Sequence, residues 1–217
     1  MSDLSHWAHR PRPHGESIQG KYTLLEKLSV NHGDTLYEAS TVAESYRYLF
    51  DSPPASREAF DAWVRTASVP ADPLFYAVID KATGRAEGRQ AFLRITPEHG
   101  VIEIGSILWG PRIARTRVAT EALYLFAEHA FETLGYRRFE WKCDSENAPS
   151  RKAALRFGFT FEGIFRQHMV VKHRNRDTAW FAILDGEWPR LKARYQRWLD
   201  EGNFDEKGVQ RRRLEEC

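Results

Sequence analysis

Three arginines, Arg112, Arg115 and Arg117, crowd the stretch PRIARTR that joins the apolar run VIEIGSILWG to a long amphipathic segment. A strand that runs through a turn into a helix N-terminus presents free backbone N–H groups and the positive end of a helix dipole at one place. A pyrophosphate suits that place, and arginines add charge-assisted donors. The plain alternative is three solvated surface residues. At a helix start they oppose the dipole, which makes an anionic partner more attractive than none.

The second stretch is CDSENAPSRKAALRFGF, residues 143–159, a polar turn and a very short helix between apolar segments. Read from Ser150 to Gly158, the helix is only about two turns long. Such a helix has little stability of its own, so tertiary contacts through Ala153, Ala154 and Phe157 must hold it. Ser150 fits a helix N-cap, just inside a loop and three residues after Asn147. Cys143 has no paired histidine or other activator in sequence. It reads as a small buried hydrophobe rather than a covalent nucleophile.

The chain has 217 residues and is 42% hydrophobic, enough for one sizeable core, so one domain plus extensions is expected. Lys and Arg (32) nearly cancel Asp and Glu (30), which argues against nucleic acid as a partner. Two cysteines, Cys143 and Cys217, make no disulfide framework, and no CxxC-type spacing predicts a metal site. A reducing, cytoplasmic compartment follows. The first twenty residues hold no signal-peptide run and no later segment reaches membrane-spanning length, so no membrane partner is expected.

After a Pro/His-rich arm (1–20), residues 21–29 read as a strand. Residues 31–50 read as one or two helices capped near Asn31 or Asp34, and 56–68 as a helix with Phe60, Trp63 and Val64 on one face. Residues 74–80 and 88–97 form a hairpin around Thr83–Gly84, and 101–109 is a central strand, apolar on both faces apart from Glu103 and Ser106. A long helix from Arg117 to Leu134 stacks Val118, Ala122, Phe126, Ala130 and Leu134, and Gly135 stops it. In RRFEWKCD, Phe139, Trp141 and Cys143 alternate with Glu140 and Lys142, so this strand has one wet or functional side. After the short helix come two strands, FTFEGIFRQHMVVK and DTAWFAILD, joined through the turn HRNR. Trp188, Leu191, Tyr195 and Trp198 mark a closing helix of a domain spanning 21–200. Residues 201–217 read as a loosely held polar tail. The order implies an α/β (α+β) fold with a sheet of mixed direction.

From Tyr22 to Trp188, and most strongly over EIGSILWGPRIARTRVATEALYLFAEHAFETLGYRRFEWKCDSENAPSRKAALRFGFTFEG, the chain resembles the GNAT (Gcn5-related N-acetyltransferase) superfamily. The resemblance is to the branch that includes the Rim-type ribosomal-protein N-terminal acetyltransferases. It implies a mixed, mostly antiparallel central sheet flanked by helices, with the fourth and fifth strands (101–109 and 137–144) splayed apart. It implies acetyl-CoA as co-substrate, no metal, and an amine acceptor, either a small molecule or a protein N-terminus. A homodimer is compatible with it.

The family's phosphate loop, Gln/Arg-x-x-Gly-x-Gly/Ala, falls on Ala114, Arg115, Thr116, Arg117, Val118 and Ala119, where only Ala119 keeps the pattern. Phosphates are expected at Arg115 to Thr120. A main-chain amide near Ile107, Leu108 or Trp109 would polarise the thioester carbonyl. Asn147 and the short helix would line the pantetheine, which gives that helix its purpose as a wall. The helix tyrosine of many members is here Ala154, and the Rim-type pattern puts a serine, Ser150, in its place as proton donor to the thiolate. An ammonium cannot attack a thioester, so a base is needed. The Rim-type pattern offers Glu162, with Glu103 and then His168 as rivals. A bare ion pair of Glu162 with an arginine such as Arg166, and a merely packed His168, remain the plain alternatives. Two other functions stand beside the enzyme. One is a non-catalytic acyl-CoA-binding module, suggested by the missing loop glycine and helix tyrosine. The other is an RNA- or ribosome-associated protein using Arg112 to Arg117 and the QRRR tail.

Overall fold

The computed structural model describes residues 4–217. Its centre is one eight-stranded sheet in the order β1-β2-β3-β4-β5-β6-β8-β7. The strands are β1 (Ile18–Gln19), β2 (Thr23–Lys27), β3 (Leu74–Asp80), β4 (Arg85–Thr96), β5 (Val101–Trp109), β6 (Arg138–Asp144), β7 (Thr160–Val171) and β8 (Arg174–Leu184). Every pairing is antiparallel except β5 with β6. The expected fourth and fifth strands are thus β5 and β6, shifted by the short β1.

The parallel pair needs a crossover, and α3 (Arg117–Glu128) supplies it. Val118 to Ala127 are all buried, so α3 is the central core helix, with the Phe126 ring stacked on Phe92 of β4 at 3.8 Å. Ala130 and Leu134 stay in the core through a π-turn at His129–Thr133, where Leu134 N–H reaches the His129 carbonyl (3.0 Å). A strict four-residue spacing drifts around an ordinary helix, and the wider turn absorbs part of that drift. Gly135, at φ +70°, ends it. The Glu121 carboxylate accepts the N–H groups of Lys21, Tyr22 and Thr23 at 2.7–2.8 Å, pinning the chain entering β2 onto α3.

Residues 31–50 are more broken than their pattern predicts. A 3-10 turn (Val30–His32) leads into α1 (Gly33–Ala39), and a second 3-10 turn (Ala43–Tyr46) follows. The N-cap of α1 is His32, next to Asn31, with no side-chain bond to the helix; its Nδ1 accepts the Ser29 N–H of the preceding turn at 3.1 Å. α2 (Arg57–Ala67) starts at Ser56, whose hydroxyl accepts the Ala59 N–H, and buries Phe60, Val64 and Ala67. The link between β7 and β8 is only Lys172–His173, so Arg174 to Arg176 belong to β8, not to a turn.

The closing helix α5 (Trp188–Trp198) buries Trp188, Leu191, Tyr195 and Trp198. The tail beyond it is packed, contrary to expectation. Leu214 and Phe204 are buried, Phe204 meets Trp198 edge-on at 5.0 Å, and Asn203 Nδ2 donates to the Trp198 carbonyl. Two apolar side chains in a polar stretch suffice to fold it back on α5. No helix among the described residues is long and apolar enough to cross a membrane.

Candidate functional site

β5 and β6 pair only from Val101↔Arg138 to Ile104↔Trp141. Beyond that register the strands part, leaving the β5 edge from Gly105 to Trp109 without a partner on the β6 side. A bulge on the β4 side, where Ser106 sits at φ +49°, bends β5 at the same level. A cavity of about 610 Å³ opens in the gap. It is reached from both faces of the sheet because β6 side chains alternate. Trp141, which packs on Phe157 and Phe159, faces one side with Ile107, Trp109 and Ala153. Lys142, which sits over Trp180 at 3.6 Å, faces the other with Glu103, Arg94 and Arg176. The wet side expected for this strand is therefore the charged wall of the cavity.

The apolar mouth is closed by α4 (Ala148–Arg156). The helix begins two residues earlier than the sequence suggests, and its cap is Asn147, whose Oδ1 accepts the Ser150 N–H at 3.1 Å. Ser150 lies inside the first turn. That frees its hydroxyl: Trp141 Nε1 donates to Ser150 Oγ at 3.0 Å, and the O–H proton remains available for another acceptor. Gly158 at φ +94°, buried Ala154 and Phe157, and the Tyr195 hydroxyl on the Phe157 carbonyl (2.8 Å) hold the short helix in place. Cys143 is buried as expected but also lines the cavity. Burial pushes its thiol up, and the neighbouring Ser150 hydroxyl draws it partly back.

The turn before α3 differs from its expected form. Thr116 caps the helix through the Val118 N–H (3.2 Å), and Arg115 bends the turn at φ +65°. The three arginines do not converge. Arg112 pairs with Glu87 at 3.0 Å, and the Arg117 guanidinium lies over the rings of Tyr22 (4.4 Å) and Phe204 (5.4 Å). Arg115 alone is exposed and uncommitted. Val118, Ala119 and Thr120 are buried, so they can offer only main chain, and the first-turn N–H groups of Arg117 and Ala119 have no acceptor among the described residues. Arg156, at the end of α4, donates to Thr120 Oγ1 at 3.3 Å and has no carboxylate in ion-pair range among the described residues. Its position beside α3 comes from packing, and nothing in its sequence context announces it. Leu108 is in the core, while Ile107 and Trp109 line the cavity; Trp109 Nε1 donates to Gln90 Oε1 at 3.1 Å. The cavity does not extend to residues 115–120.

The candidate bases separate clearly. Glu103 is 2% exposed and lines the cavity, with Arg94 Nη1 at 2.9 Å from both of its oxygens and Lys142 Nζ at 2.9 Å. Burial pushes its carboxyl up against the opposing pull of Lys142 and Arg94. Lys142 continues to Glu140 (2.8 Å), Glu140 to Arg138 (2.7 Å), and Arg138 to Glu162 (2.8 and 2.5 Å). The structure does not bring Glu162 to the cavity. β7 lies outside β8, two strand spacings or about 10 Å from β6. The Glu162 carboxylate is gripped by Arg138, not Arg166, which holds it below the usual carboxylate range. His168 lines the cavity with its Nδ1 at 2.9 Å from Thr178 Oγ1.

A splayed parallel pair, a capped wall helix and a buried carboxylate opposite a serine hydroxyl can align an amine with an acyl donor. Comparison with known proteins agrees. Residues 23–160 match the family model of the acetyltransferase (GNAT) domain. A GCN5-related N-acetyltransferase from Brucella melitensis is 56% identical, with 98% of each chain covered and a TM-score of 0.96. An uncharacterized N-acetyltransferase p20 from Bacillus licheniformis is 26% identical over 181 residues, 80% of this chain and 98% of that one. The Salmonella typhimurium acetyl transferase that modifies the N-terminal serine of ribosomal protein L7/L12 shares the fold, at a TM-score of 0.68 and 20% identity over 78% of this chain and 99% of that one. The chain belongs to the GNAT acetyltransferase family and is an N-acetyltransferase, of a kind that moves an acyl group from acetyl-CoA to an amine.

Proposed function

We propose that the β5–β6 cavity is the acyl-transfer site and that acetyl moves directly to the amine in a ternary complex. The observation that carries this is the pairing of two walls: Ser150 Oγ, held by Trp141 on one, and Glu103, held by Arg94 and Lys142 on the other. The protein's own groups fit acetyl-CoA. Leftover N–H donors at Arg117 and Ala119, with Arg115 and Arg156 beside them, suit the phosphates. Ile107, Trp109, Trp141, Ala153 and Asn147 make a mostly apolar channel for the pantetheine. The donor would supply an activated acyl carbon with a thiolate leaving group.

Glu103 takes a proton from the incoming ammonium, and its raised basicity suits that task. The unpaired main chain between Gly105 and Trp109 offers an amide to the developing oxyanion. Ser150 gives its hydroxyl proton to the leaving sulfur and is reprotonated, directly or through solvent, by the second proton the nitrogen sheds as the amide forms. Cys143 lines the site but has no activating base, and burial keeps it a thiol, so no covalent enzyme intermediate is needed. Both cysteines are free, which suits a cytoplasmic location. Calorimetric titration with acetyl-CoA, followed by thiol release with a panel of amines, tests the reading. Binding with amine-dependent thiol release is expected. Binding without release from any amine would favour an acyl-CoA-binding module, and absence of binding would refute the site.

A further inference from the structure

On the acceptor side of the cavity, the cations are spent on carboxylates with one exception. Arg94 and Lys142 hold Glu103, and Arg89, behind the wall, holds cavity-lining Asp51 at 2.5 Å. Arg176 is different. It lines the cavity, is 7% exposed, and its guanidinium makes no hydrogen bond or ion pair with any described residue; its Nε is buried without a partner among them. Its guanidinium lies over the Phe50 ring, 4.7 Å from the centroid. A buried charge is costly unless paired, so a guanidinium left this way is arranged for a partner that arrives with the ligand. Burial accordingly holds the pKa of Arg176 below its ordinary value.

Its surroundings define that partner. Arg176 stands two residues before Thr178 on β8, on the same face, and Thr178 pairs with Asp144 at the end of β6. Asp144 also lines the cavity. One of its oxygens accepts the Glu146 N–H at 2.9 Å, and no cation among the described residues lies within ion-pair range. Asp144 is the acid whose charge acts most strongly on Arg176, yet the two make no ion pair. The acceptor side therefore offers one unpaired guanidinium and one unpaired carboxylate, close together and near Glu103. The segment Glu44–Asp51 roofs them, tied down where Lys172 Nζ donates to the Tyr46 carbonyl (2.8 Å) and the Tyr48 hydroxyl to the Glu146 carbonyl (3.3 Å).

We infer that the acceptor is a small amino acid-like zwitterion whose carboxylate is bound by Arg176 and whose amine is presented to Glu103 beside Asp144. This rests on the acyl-transfer reading of the same cavity. A planar guanidinium fork matches a planar carboxylate in two parallel hydrogen bonds. A protein N-terminus offers a neutral carbonyl at that position and leaves the buried charge unanswered.

The test compares the twenty standard amino acids with their α-amides as acceptors, reading thiol release from acetyl-CoA. The amide stands in for a peptide N-terminus. Wild type is expected to favour at least one acid over its amide by about 10- to 100-fold in kcat/KM, the worth of hydrogen bonds to a charged group. Arg176→Gln is expected to bring that acid down to the level of its amide, chiefly through KM, with Arg176→Lys in between. Because Arg176→Gln removes an unpartnered buried charge, its unfolding midpoint should match or exceed wild type, which separates loss of recognition from loss of fold. Amides used as well as acids, or acid and amide falling by the same factor in Arg176→Gln, would overturn the inference. If no acceptor releases thiol, the acyl-transfer reading of the cavity fails. Calorimetry with N-acetyl amino acids and their amides then decides alone: preference for the acid, abolished by Arg176→Gln, sustains the carboxylate site, and its absence overturns it.

Discussion

Ser150→Ala and Asn147→Ala together separate catalysis from capping, because the structure divides between two residues what the sequence allowed one to do. Removing the Ser150 hydroxyl deletes the acceptor for Trp141 Nε1, in a side chain only 5% exposed. One lost hydrogen bond of this kind costs about 1 kcal/mol. Alanine is the better helix former by a few tenths of a kcal/mol, so the net loss is roughly 0.5 kcal/mol. For a chain of this length that shifts the unfolding midpoint by about 1–2 °C. Asn147→Ala removes the cap of α4 and should cost about 1 kcal/mol, or about 2–4 °C. The catalytic effects should be ordered the other way. Without a proton donor at the leaving sulfur, kcat should fall by about 10²–10⁴ in Ser150→Ala, while acetyl-CoA affinity changes little. Differential scanning calorimetry and steady-state thiol release at saturating substrates measure both quantities. A Ser150→Ala enzyme with kcat within a few-fold of wild type would refute the proton-donor role.

Glu103→Gln should depress the rate most at neutral pH, where the amine arrives protonated, and the gap should close toward alkaline pH; a pH–rate profile parallel to wild type would remove Glu103 as base. Glu162→Gln should leave turnover unchanged but cost stability. The Arg138 hydrogen bonds depress the folded-state pKa of Glu162, so its contribution is complete above the unfolded value of about 4.3 and is lost as pH falls through the folded value. Urea titrations of the two proteins should therefore differ at pH 7 and converge in acid. Arg117→Ala should lower the unfolding midpoint through loss of the Tyr22 and Phe204 contacts, about 0.5–2 kcal/mol, and leave acetyl-CoA affinity nearly intact. Arg115→Ala should do the reverse in calorimetry.

What the sequence determined by itself is what periodicity and local backbone chemistry carry. The run from Val118 to Leu134 stacks apolar residues on one helical face, and Gly135 and Gly158 stop helices because each takes a left-handed φ that other residues avoid. Strict alternation in 138–144 put Glu140 and Lys142 on one side of a strand, and that side proved to carry the charged wall. The short helix was legible as too weak to stand alone, and its use as a wall came from the family resemblance. Tertiary structure gave chemically equivalent candidates different surroundings. Asn147 and Ser150 are both good caps, and which one serves depends on the angle at which the chain leaves β6. Arg112, Arg115 and Arg117 look alike in sequence, but Glu87, Tyr22 and Phe204 reach two of them from distant segments. Glu103 and Glu162 are both glutamates in strands. Sheet order alone puts one beside the β5–β6 gap and the other two strands away on Arg138. Arg176 reads as one more arginine in a charged turn, and only the register of β8 on β6 buries it in the cavity without a partner. Local patterns report a residue's own neighbours, whereas a side chain's role here is set by partners brought in from elsewhere in the chain.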